Sequence, residues 1–447
     1  MKLSSAHPFV PARRLAALGL LGLILLQLAC VLPFATATPE PQPSATRAAA
    51  ATGTRPAGAS PTPAGEPTSS SLAPHLSPSA APSTRPAAEA TLRPAATLKS
   101  QPVTRLDTEK GVMAQLFPEA AQLGAPAWLG GSLRLTYSVA SATREKAANG
   151  TSTSGSGLLQ YDLAAVDGQL VAGSTRFFLD TDLAGTYHPT TPFASWGTPG
   201  AGEYWVNPQA LKQAESLASD KLTVVRGPAT VSGKVYQAVR FEYRDGNNLS
   251  IWMVDTETGL IIYYRQQIGA DTDAKQTNSI LSLVAVRSLK LPWAGTQLPA
   301  AVRVGGSLQY AGTQTVVVAG VGAPALRVTL TAKVTQTGQN WAQYQLTDSV
   351  VGLQANPRVT GAAQLGEALW LPAEAFKANL NGLSIDSDPQ TGAKTSASLK
   401  NGLLYLTEAG KAFTTTAGYD PTSGLLVYYR QELVSPTNTT TLVLQKQ

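Results

Sequence analysis

The chain has 447 residues, of which 43% are hydrophobic and 14% charged, and its formal net charge is +6. Residues 1–107 hold nine Lys and Arg against four Asp and Glu, whereas the remaining 340 hold 25 against 24. Because nucleic-acid binding needs a basic folded surface, this nearly neutral body excludes nucleic acid as an expected partner. The single cysteine, Cys30, excludes an internal disulfide, so packing must hold the fold together.

The start of the chain has the layout of an export signal. Arg13 and Arg14 precede an apolar run over residues 15–28, and a small residue and Cys30 follow at once. This order of charge, apolar run and small residue is typical of segments that direct export. It predicts that the rest of the chain lies outside the cytoplasm.

The sequence L-Q-L-A-C that ends at Cys30 resembles the lipobox of bacterial lipoproteins and differs from it at Gln27, where the family has an aliphatic residue. The resemblance implies a lipoprotein signal over 1–30 and a lipid on Cys30 as the membrane anchor. Two alternatives stay open: cleavage after the A-x-A sequence at 35–37, and no cleavage, with 15–34 kept as an N-terminal membrane anchor. All three predict the outer face of the cell membrane or the extracellular space.

Residues 31–107 are predicted to form a disordered stalk. Pro, Ala, Ser and Thr dominate this segment, and no aromatic residue occurs between Phe34 and Phe117. Such a chain cannot bury enough apolar surface to offset the entropy of ordering it. As a coil of about seventy residues it would span about 45 Å, which makes it a tether.

The rest of the chain contains two copies of one unit, assigned to residues 108–290 and 291–447. Three pairs of segments match in the same order: 122–133 with 297–308, 202–212 with 366–377, and 259–266 with 424–431. The first pair is identical at seven of twelve positions. Ordered matches of this kind indicate an internal duplication.

Both units are predicted to be all-β or β-dominated antiparallel meanders with one short helix each. Alternation over 235–243 and 249–254, around an Asp-Gly turn, predicts a hairpin. A helix is predicted from Pro208 to about Ala218, and Pro372 opens its counterpart in the second unit.

Three turns share the pattern D-x-x-[ST]-G and begin at Asp255, Asp388 and Asp420. The Asp side chain accepts backbone N–H bonds within such a turn, and the Gly supplies the positive φ that closes it.

The hairpin from Trp252 to Leu260 is similar to a segment of the periplasmic lipoprotein carriers and related envelope lipoproteins. That resemblance implies a half-open β-barrel that cradles acyl chains against a helix.

The sequence Tyr-Tyr-Arg-Gln recurs in both units and is the candidate binding motif. It comprises Tyr263, Tyr264, Arg265 and Gln266, and Tyr428, Tyr429, Arg430 and Gln431. Aromatic rings beside a guanidinium and an amide can stack on and hydrogen-bond a sugar or a peptide. In the alternative interpretation, the tyrosines pack across the sheet and the arginines extend to solvent.

Groups suited to catalysis are scarce, and no cofactor or metal is expected. His188 is the only histidine beyond the stalk, which excludes a zinc site of His and Cys ligands. The close acidic pairs Asp180 with Asp182 and Asp386 with Asp388 leave a carboxylate-based hydrolase as a weak hypothesis.

The segment 315–325 fits a strand followed by G-x-G-x-x-A, the pattern of a dinucleotide site. Such a site needs a helix N-terminus at this point to hold the pyrophosphate. Pro324 and the strand-like residues 326–330 leave no room for that helix. We therefore predict a loop.

The leading hypothesis is a non-enzymatic surface or secreted protein with a binding or structural role, whose partner is an envelope glycan, a lipid or a surface protein. The alternative is a lipid or lipoprotein carrier with an apolar cavity.

Overall fold

A computed structural model describes residues 103, 105–108, 111–130, 132–146, 152–168, 170–180, 182–270, 273–293, 297–348 and 357–447. The predicted signal, Cys30 and nearly all of the predicted stalk lie outside the described residues. Val103 and Leu106 are buried, and the Leu106 backbone N–H donates to the Tyr243 hydroxyl at 3.1 Å. Apolar contacts thus join residues 103 and 106, at the end of the predicted stalk, to the core.

Ten strands of the described residues form a first antiparallel sheet. They are β1 (Leu133–Glu145), β2 (Ser152–Asp167), β3 (Leu170–Asp180), β4 (Tyr187–Pro189), β5 (Phe193–Gly197), β6 (Leu222–Val231), β7 (Lys234–Asp245), β8 (Asn248–Asp255), β9 (Ile261–Ile268) and β10 (Lys275–Ser288). Their order is β4-β3-β2-β1-β10-β9-β8-β7-β6, and β5 also pairs with β3.

Eleven further strands of the described residues form a second antiparallel sheet. They are β11 (Ser307–Val318), β12 (Val321–Gly322), β13 (Leu326–Thr337), β14 (Trp341–Asp348), β15 (Pro357–Gly361), β16 (Ser384–Ser387), β17 (Lys394–Lys400), β18 (Leu403–Ala409), β19 (Phe413–Tyr419), β20 (Leu426–Val434) and β21 (Asn438–Lys446). Their order is β15-β14-β13-β11-β21-β20-β19-β18-β17-β16, with β12 paired to β11.

The two sheets repeat one topology, as the internal duplication predicts. In each, the first strand pairs with the last, and a meander of hairpins continues outward from that pair. β1, β2, β3, β5 and β6–β10 correspond in this order to β11, β13, β14, β15 and β17–β21. The isolated bridges Trp205–Leu260 and Trp370–Leu425 are 165 residues apart at both ends. The predicted fold class, two tandem antiparallel meander units, is confirmed.

Short helices accompany both sheets. They are α1 (Val112–Leu116), the 3₁₀ helices η1 (Pro118–Gln122) and η2 (Ala210–Leu217), and α2 (Ala373–Lys377). The helix predicted from Pro208 is a 3₁₀ helix that begins two residues later. Its first bond runs from the Ala210 N–H to the Asn207 carbonyl, three residues back, which is the 3₁₀ spacing. The helix predicted after Pro372 is present as α2.

Among the described residues, three of the five apolar clusters form the main cores. One joins α1, η1 and η2 to β6–β9, and a second joins β1–β3 to β9, β10 and Trp205. The third fills the second sheet around Trp370. Both tryptophans are fully buried. Because the first two clusters cover opposite faces of β7–β9, packed side chains occupy both sides of that meander.

The D-x-x-[ST]-G turns have the predicted geometry. In the first, Asp255 accepts the Thr258 N–H at 3.0 Å, and Gly259 closes the turn with φ +74°. Asp388 and Asp420 accept the corresponding backbone bonds in the second unit.

The loop predicted over residues 315–325 is wrong in part, because β11 extends to Val318 and pairs with β12. Ala319 and Gly320, both with positive φ, form the two-residue turn between them. Consecutive positive φ values give a turn whose twist matches that of paired strands, so the chain continues as a hairpin.

Candidate functional site

Strands β2 and β3 are buried on both faces. Residues 158–165 and 171–178 are buried without interruption. Because side chains alternate across a strand, one face supplies the aromatic core around Tyr161 and the other meets the second sheet. This second face is the candidate site.

The candidate site is a row of polar side chains on three neighbouring strands. It comprises Arg134 on β1, Gln160 and Asp162 on β2, and Ser174 and Arg176 on β3. The strand register places Arg134 opposite Asp162 and Gln160 opposite Arg176. All five residues are buried. Buried charges of this kind must be paired. Arg134 and Asp162 pair within the row, and the remaining partners come from the second sheet.

Arg134 lies at the centre of the row. Its Nε and Nη2 donate to the two carboxylate oxygens of Asp162 at 2.6 and 2.7 Å, and its Nη1 donates to Asp388 at 2.8 Å. Gln160 Nε2 donates to the same Asp388 oxygen at 2.7 Å. Burial by itself would raise the pKa of Asp388, but the Arg134 charge and bonds such as the Gln390 N–H lower it to about 2. Asp388 is therefore a carboxylate at any ordinary pH.

Arg287 of β10 makes a second connection between the sheets. Its Nη1 and Nη2 each donate to one oxygen of Asp386, the second at 2.9 Å. Nη2 also reaches Asp388 at 3.3 Å. Arginine presents a planar pair of donors that matches a carboxylate, so this contact has a defined geometry. The acidic pair Asp386 and Asp388 is thus held by arginines of the first sheet.

Arg176 makes the third connection. Its two terminal nitrogens donate to the two oxygens of Glu408, each at 2.9 Å. Glu367 lies 3.7 Å from both Arg176 and Arg358 and accepts a bond from the Tyr429 hydroxyl at 3.4 Å. Burial raises the pKa of Glu367, and the two arginine charges oppose that rise. Glu367 therefore takes up a proton more readily than an ordinary Glu.

A cavity of about 10 Å³ lies beside Glu367, with room for about one water molecule. It is lined by Gln160, Asp162, Ser174, Arg176, Pro192, Gln364, Leu365, Gly366 and Glu367. Glu367 also has φ +44°, which is costly for a residue with a Cβ. Strain, burial and a shifted pKa together often mark a functional residue. Here the surrounding arginines and Tyr429 engage the carboxylate, so its chemistry in this state is ion pairing.

In the first unit, the candidate binding motif is divided between the two faces of β9. The Tyr264 ring stacks on Trp252 with centroids 5.5 Å apart, and burial raises its pKa. Tyr263 packs against the core on the opposite face. Arg265 donates to a side chain of β10 at 3.0 Å, and Gln266 is buried. The sheet separates the two tyrosines, so they do not form one aromatic surface.

In the second unit, the motif is again divided between the faces of its strand. The Tyr428 ring meets Tyr405 edge-on at 6.0 Å, and the Tyr429 hydroxyl points into the buried ion-pair network. Arg430 pairs with the acid two residues further along at 2.8 Å, and Gln431 is half-buried. A role of the eight motif residues in ligand binding stays a prediction.

The remaining catalytic candidates lie at the tip of β3 and β4. His188 is half-buried in β4, and burial lowers its pKa. Asp180 and Asp182 accept backbone N–H bonds from loop residues 184–186 at 3.0 to 3.3 Å. Bonds of this kind stabilise a tight loop, and they account for the close spacing of the two acids.

Sequence reasoning missed the basic half of the ion-pair network. Arg134 lies between two leucines, and Arg176 and Arg287 each have one apolar neighbour in their strands. A charged side chain next to apolar ones in a strand ordinarily indicates a solvent-exposed face. The available signal was weak: polar residues share one face on three consecutive strands whose other face is aromatic.

In the part of the chain that the structure describes, no group of three or more His, Cys, Asp and Glu side chains could hold a metal ion. Among the same residues, no helix is long and apolar enough to cross a bilayer.

No protein-family model matches the chain, and no curated protein matches it. Among solved structures, a variant of transferrin binding protein B from Haemophilus parasuis Hp5 is 8% identical, with a TM-score of 0.14 over 72% of this chain and 78% of that one. A DUF3598-family protein of unknown function from Nostoc punctiforme is 8% identical, with a TM-score of 0.13 over 70% and 95%. Transferrin binding protein B from serogroup B Neisseria meningitidis is 9% identical, with a TM-score of 0.13 over 71% and 77%. Superpositions this poor support no inference about the function of this chain.

Proposed function

We propose that the chain is an exported, membrane-tethered protein that presents a rigid two-sheet body at the outer face of the cell membrane, with a binding or structural role rather than a catalytic one. The tether is the segment over 31–107, held by a lipid on Cys30 or by the N-terminal apolar run. The main support is the buried ion-pair network. It engages the acids Asp386 and Asp388, which would otherwise be available for chemistry, in contacts that join the sheets.

Fractionation of a bacterium that expresses the full chain and its Cys30→Ser variant tests the anchor. The wild type is expected in the membrane fraction with a lipid mass on Cys30, and the variant is expected to lose both the lipid and firm attachment. If Cys30→Ser stays as firmly bound as the wild type, the lipid anchor is wrong and the uncut segment 15–34 holds the protein. Release of both proteins would instead indicate cleavage after Ala37.

Native mass spectrometry of the gently extracted full chain tests the binding role. A co-purifying glycan, lipid or peptide mass supports a binding protein and identifies the chemistry of its ligand. If the Tyr-Tyr-Arg-Gln motif binds this ligand, Arg265→Ala and Arg430→Ala are expected to weaken its binding. A clean apo mass favours a structural role.

The carrier function stays a prediction with less support. It expects an apolar concavity lined from both faces of the Asp255 hairpin, and packed side chains cover both faces of that meander. A co-purifying fatty-acyl ligand in a 1:1 ratio to the protein, seen in the same spectrum, would support the carrier function.

A further inference from the structure

One end of the second sheet carries an exposed apolar tip, defined here as residues 317–326 together with Val434. Its exposed members include Val317, Val318, Val321 and Leu326, and Val321 is 74% exposed. No charged residue occurs between Arg303 and Arg327. Val434 lies beside this segment because the neighbouring β20–β21 turn bonds to it. The register places Val318 and Val321 side by side on one face of the hairpin and Val317 on the other, so aliphatic side chains are exposed on both faces of the tip. Exposed aliphatic clusters of this kind mark interaction surfaces.

The fold itself does not require an apolar tip at this place. β1 and β10 are the counterparts of β11 and β21, and their equivalent end carries Glu145 opposite Lys275. These two side chains form an exposed ion pair at 3.1 Å. The same position in the second sheet pairs Val318 with Asn438. The two copies thus share a backbone arrangement and differ in the chemistry of this end.

The backbone of the apolar tip is largely satisfied within the protein. Val317 and Val318 pair with β12, the Ala323 N–H donates to the Val316 carbonyl at 2.8 Å, and the Ala319 N–H donates to the Thr437 carbonyl at 3.0 Å. Unpaired backbone groups are the main obstacle to placing a chain in an apolar phase. Because most backbone groups of this hairpin are already hydrogen-bonded, its transfer into an apolar phase leaves few of them unpaired.

The exposed charges around the tip are positive. Arg327 stands at the start of β13, and Lys411 lies in the β18–β19 turn, where the next carbonyl accepts the Val434 N–H at 2.8 Å. Two acids on strands at this end of the sheet are engaged: Glu408 by Arg176, and the partly exposed Glu432 by Arg430. Cations that flank an apolar surface are attracted to anionic headgroups.

We infer that the apolar tip docks the second sheet onto an anionic lipid surface, with Val318 and Val321 in the interfacial layer and Arg327 and Lys411 at the headgroups. The inference rests on the proposed membrane tether for proximity. A coil of about seventy residues has a root-mean-square span of about 45 Å, so it would keep the body near the bilayer. Docking would then fix the orientation of a body that the tether leaves free to rotate.

The test places an environment-sensitive fluorophore at the tip of the full chain. In the Cys30→Ser background, Val321→Cys supplies the only thiol, and Lys275→Cys supplies the matched control at the equivalent end of the first sheet. Each labelled chain is mixed either with vesicles that contain an anionic lipid or with neutral vesicles of phosphatidylcholine alone. Flotation then reports whether the chain is vesicle-bound by any segment, and emission with lipid-borne quenchers reports whether the label enters the bilayer.

The label at 321 is expected to shift to the blue and to be quenched on anionic vesicles, while the label at 275 stays in water. With Arg327→Gln and Lys411→Gln added, half-maximal change should need roughly thirtyfold more anionic lipid. A label at 321 that stays as water-exposed as the one at 275 overturns the inference, whether or not the chain floats. Shielding without vesicles that grows with protein concentration also overturns it, and identifies a second copy as the occupant. Flotation without shielding would mean that another segment, such as the apolar run 15–34 that the Cys30→Ser chain keeps, binds the vesicle while the tip fails to dock.

Discussion

Arg134 illustrates how this chain uses buried charge. Taking a guanidinium and two carboxylates out of water costs several kcal/mol per ion, and the direct bonds to Asp162 and Asp388 offset that cost only while all partners are present. The network is thus a stronger determinant of which surfaces meet than of total stability. Removing one member leaves the others buried and unpaired, which is where the large energetic effect arises.

Arg134→Met is expected to lower the free energy of unfolding by about 3 to 5 kcal/mol, because Asp162 is left buried without a cation and Asp388 keeps only its longer contact with Arg287. Urea denaturation of the full chain measures this loss. Lys275→Ala is the control, since it breaks an exposed ion pair and should cost less than about 1 kcal/mol. Equal losses in the two variants would show that the buried network has no special weight.

Acid should weaken the network through Asp388. Its pKa of about 2 in the folded state lies below the ordinary 3.8, so its ionised form stabilises the fold above about pH 4. That stabilisation, about 2 kcal/mol, is lost as the pH falls from 4 towards 2. Glu367, with its pKa raised by burial, acts in the opposite direction, because protonation relieves a buried charge.

The pH dependence of unfolding between pH 7 and 2 checks this expectation, with Asp388→Asn predicted to flatten the acid limb. Asp420→Asn is the matched control, because Asp420 makes the same turn bonds at a half-buried position, away from the arginines of the network. If both variants change the acid limb equally, the turn rather than the ion pairs controls acid stability.

At the scale of elements, the turns that join the strands of each meander are also the points where the meander contacts other segments of the chain. Gly259 closes the β8–β9 turn with φ +74°, and a Cβ there would lie 1.8 Å from the Val206 carbonyl oxygen. That carbonyl belongs to the segment that carries the buried Trp205. Gly424 occupies the corresponding place against Leu371 in the second unit. At each of these two positions, one glycine allows both the positive φ of the turn and the close approach of a neighbouring backbone carbonyl.

Gly259→Ala is expected to destabilise the protein by about 3 kcal/mol, because left-handed strain and a steric clash act together. Gly246→Ala is the control: Gly246 also has a positive φ, but its Cβ would meet nothing within 4 Å. That variant should lose only about 1 kcal/mol. Thermal and urea unfolding of both would show whether the contact with Val206, beyond the φ angle, requires glycine.

At the scale of the whole molecule, the sheets touch through backbone as well as through charges. A Cβ at Gly361 of β15 would lie 1.9 Å from the Ala164 carbonyl oxygen of β2. Near this contact, Trp196 meets Trp341 edge-on at 5.6 Å, and the Trp341 indole N–H donates to Asp167 at 3.2 Å. Apolar and polar contacts together fix one sheet against the other, which predicts that both unfold as a unit.

Gly361→Val is expected to force the sheets apart, lower stability by about 2 to 3 kcal/mol and divide one cooperative unfolding transition into two. Gly322→Val, at a strand glycine with open space around it, is the control and should leave a single transition. Differential scanning calorimetry separates these outcomes. A single unchanged transition in Gly361→Val would mean that the inter-sheet contact yields easily.

The sequence by itself determined the duplication, the β meanders and their turns, because these depend on residues close in the chain. Strand alternation, the Asp of each D-x-x-[ST]-G turn and the closing glycines such as Gly259 act within a few residues. Only the tertiary structure decided the fate of Arg134, Arg176 and Glu367. Arg134 and Arg176 each bond to an acid of the other sheet that is more than two hundred residues away in the chain. A strand face that the sequence pattern assigns to solvent is therefore a buried ion-pair network. Periodicity shows which residues share a face, and packing alone decides what covers it.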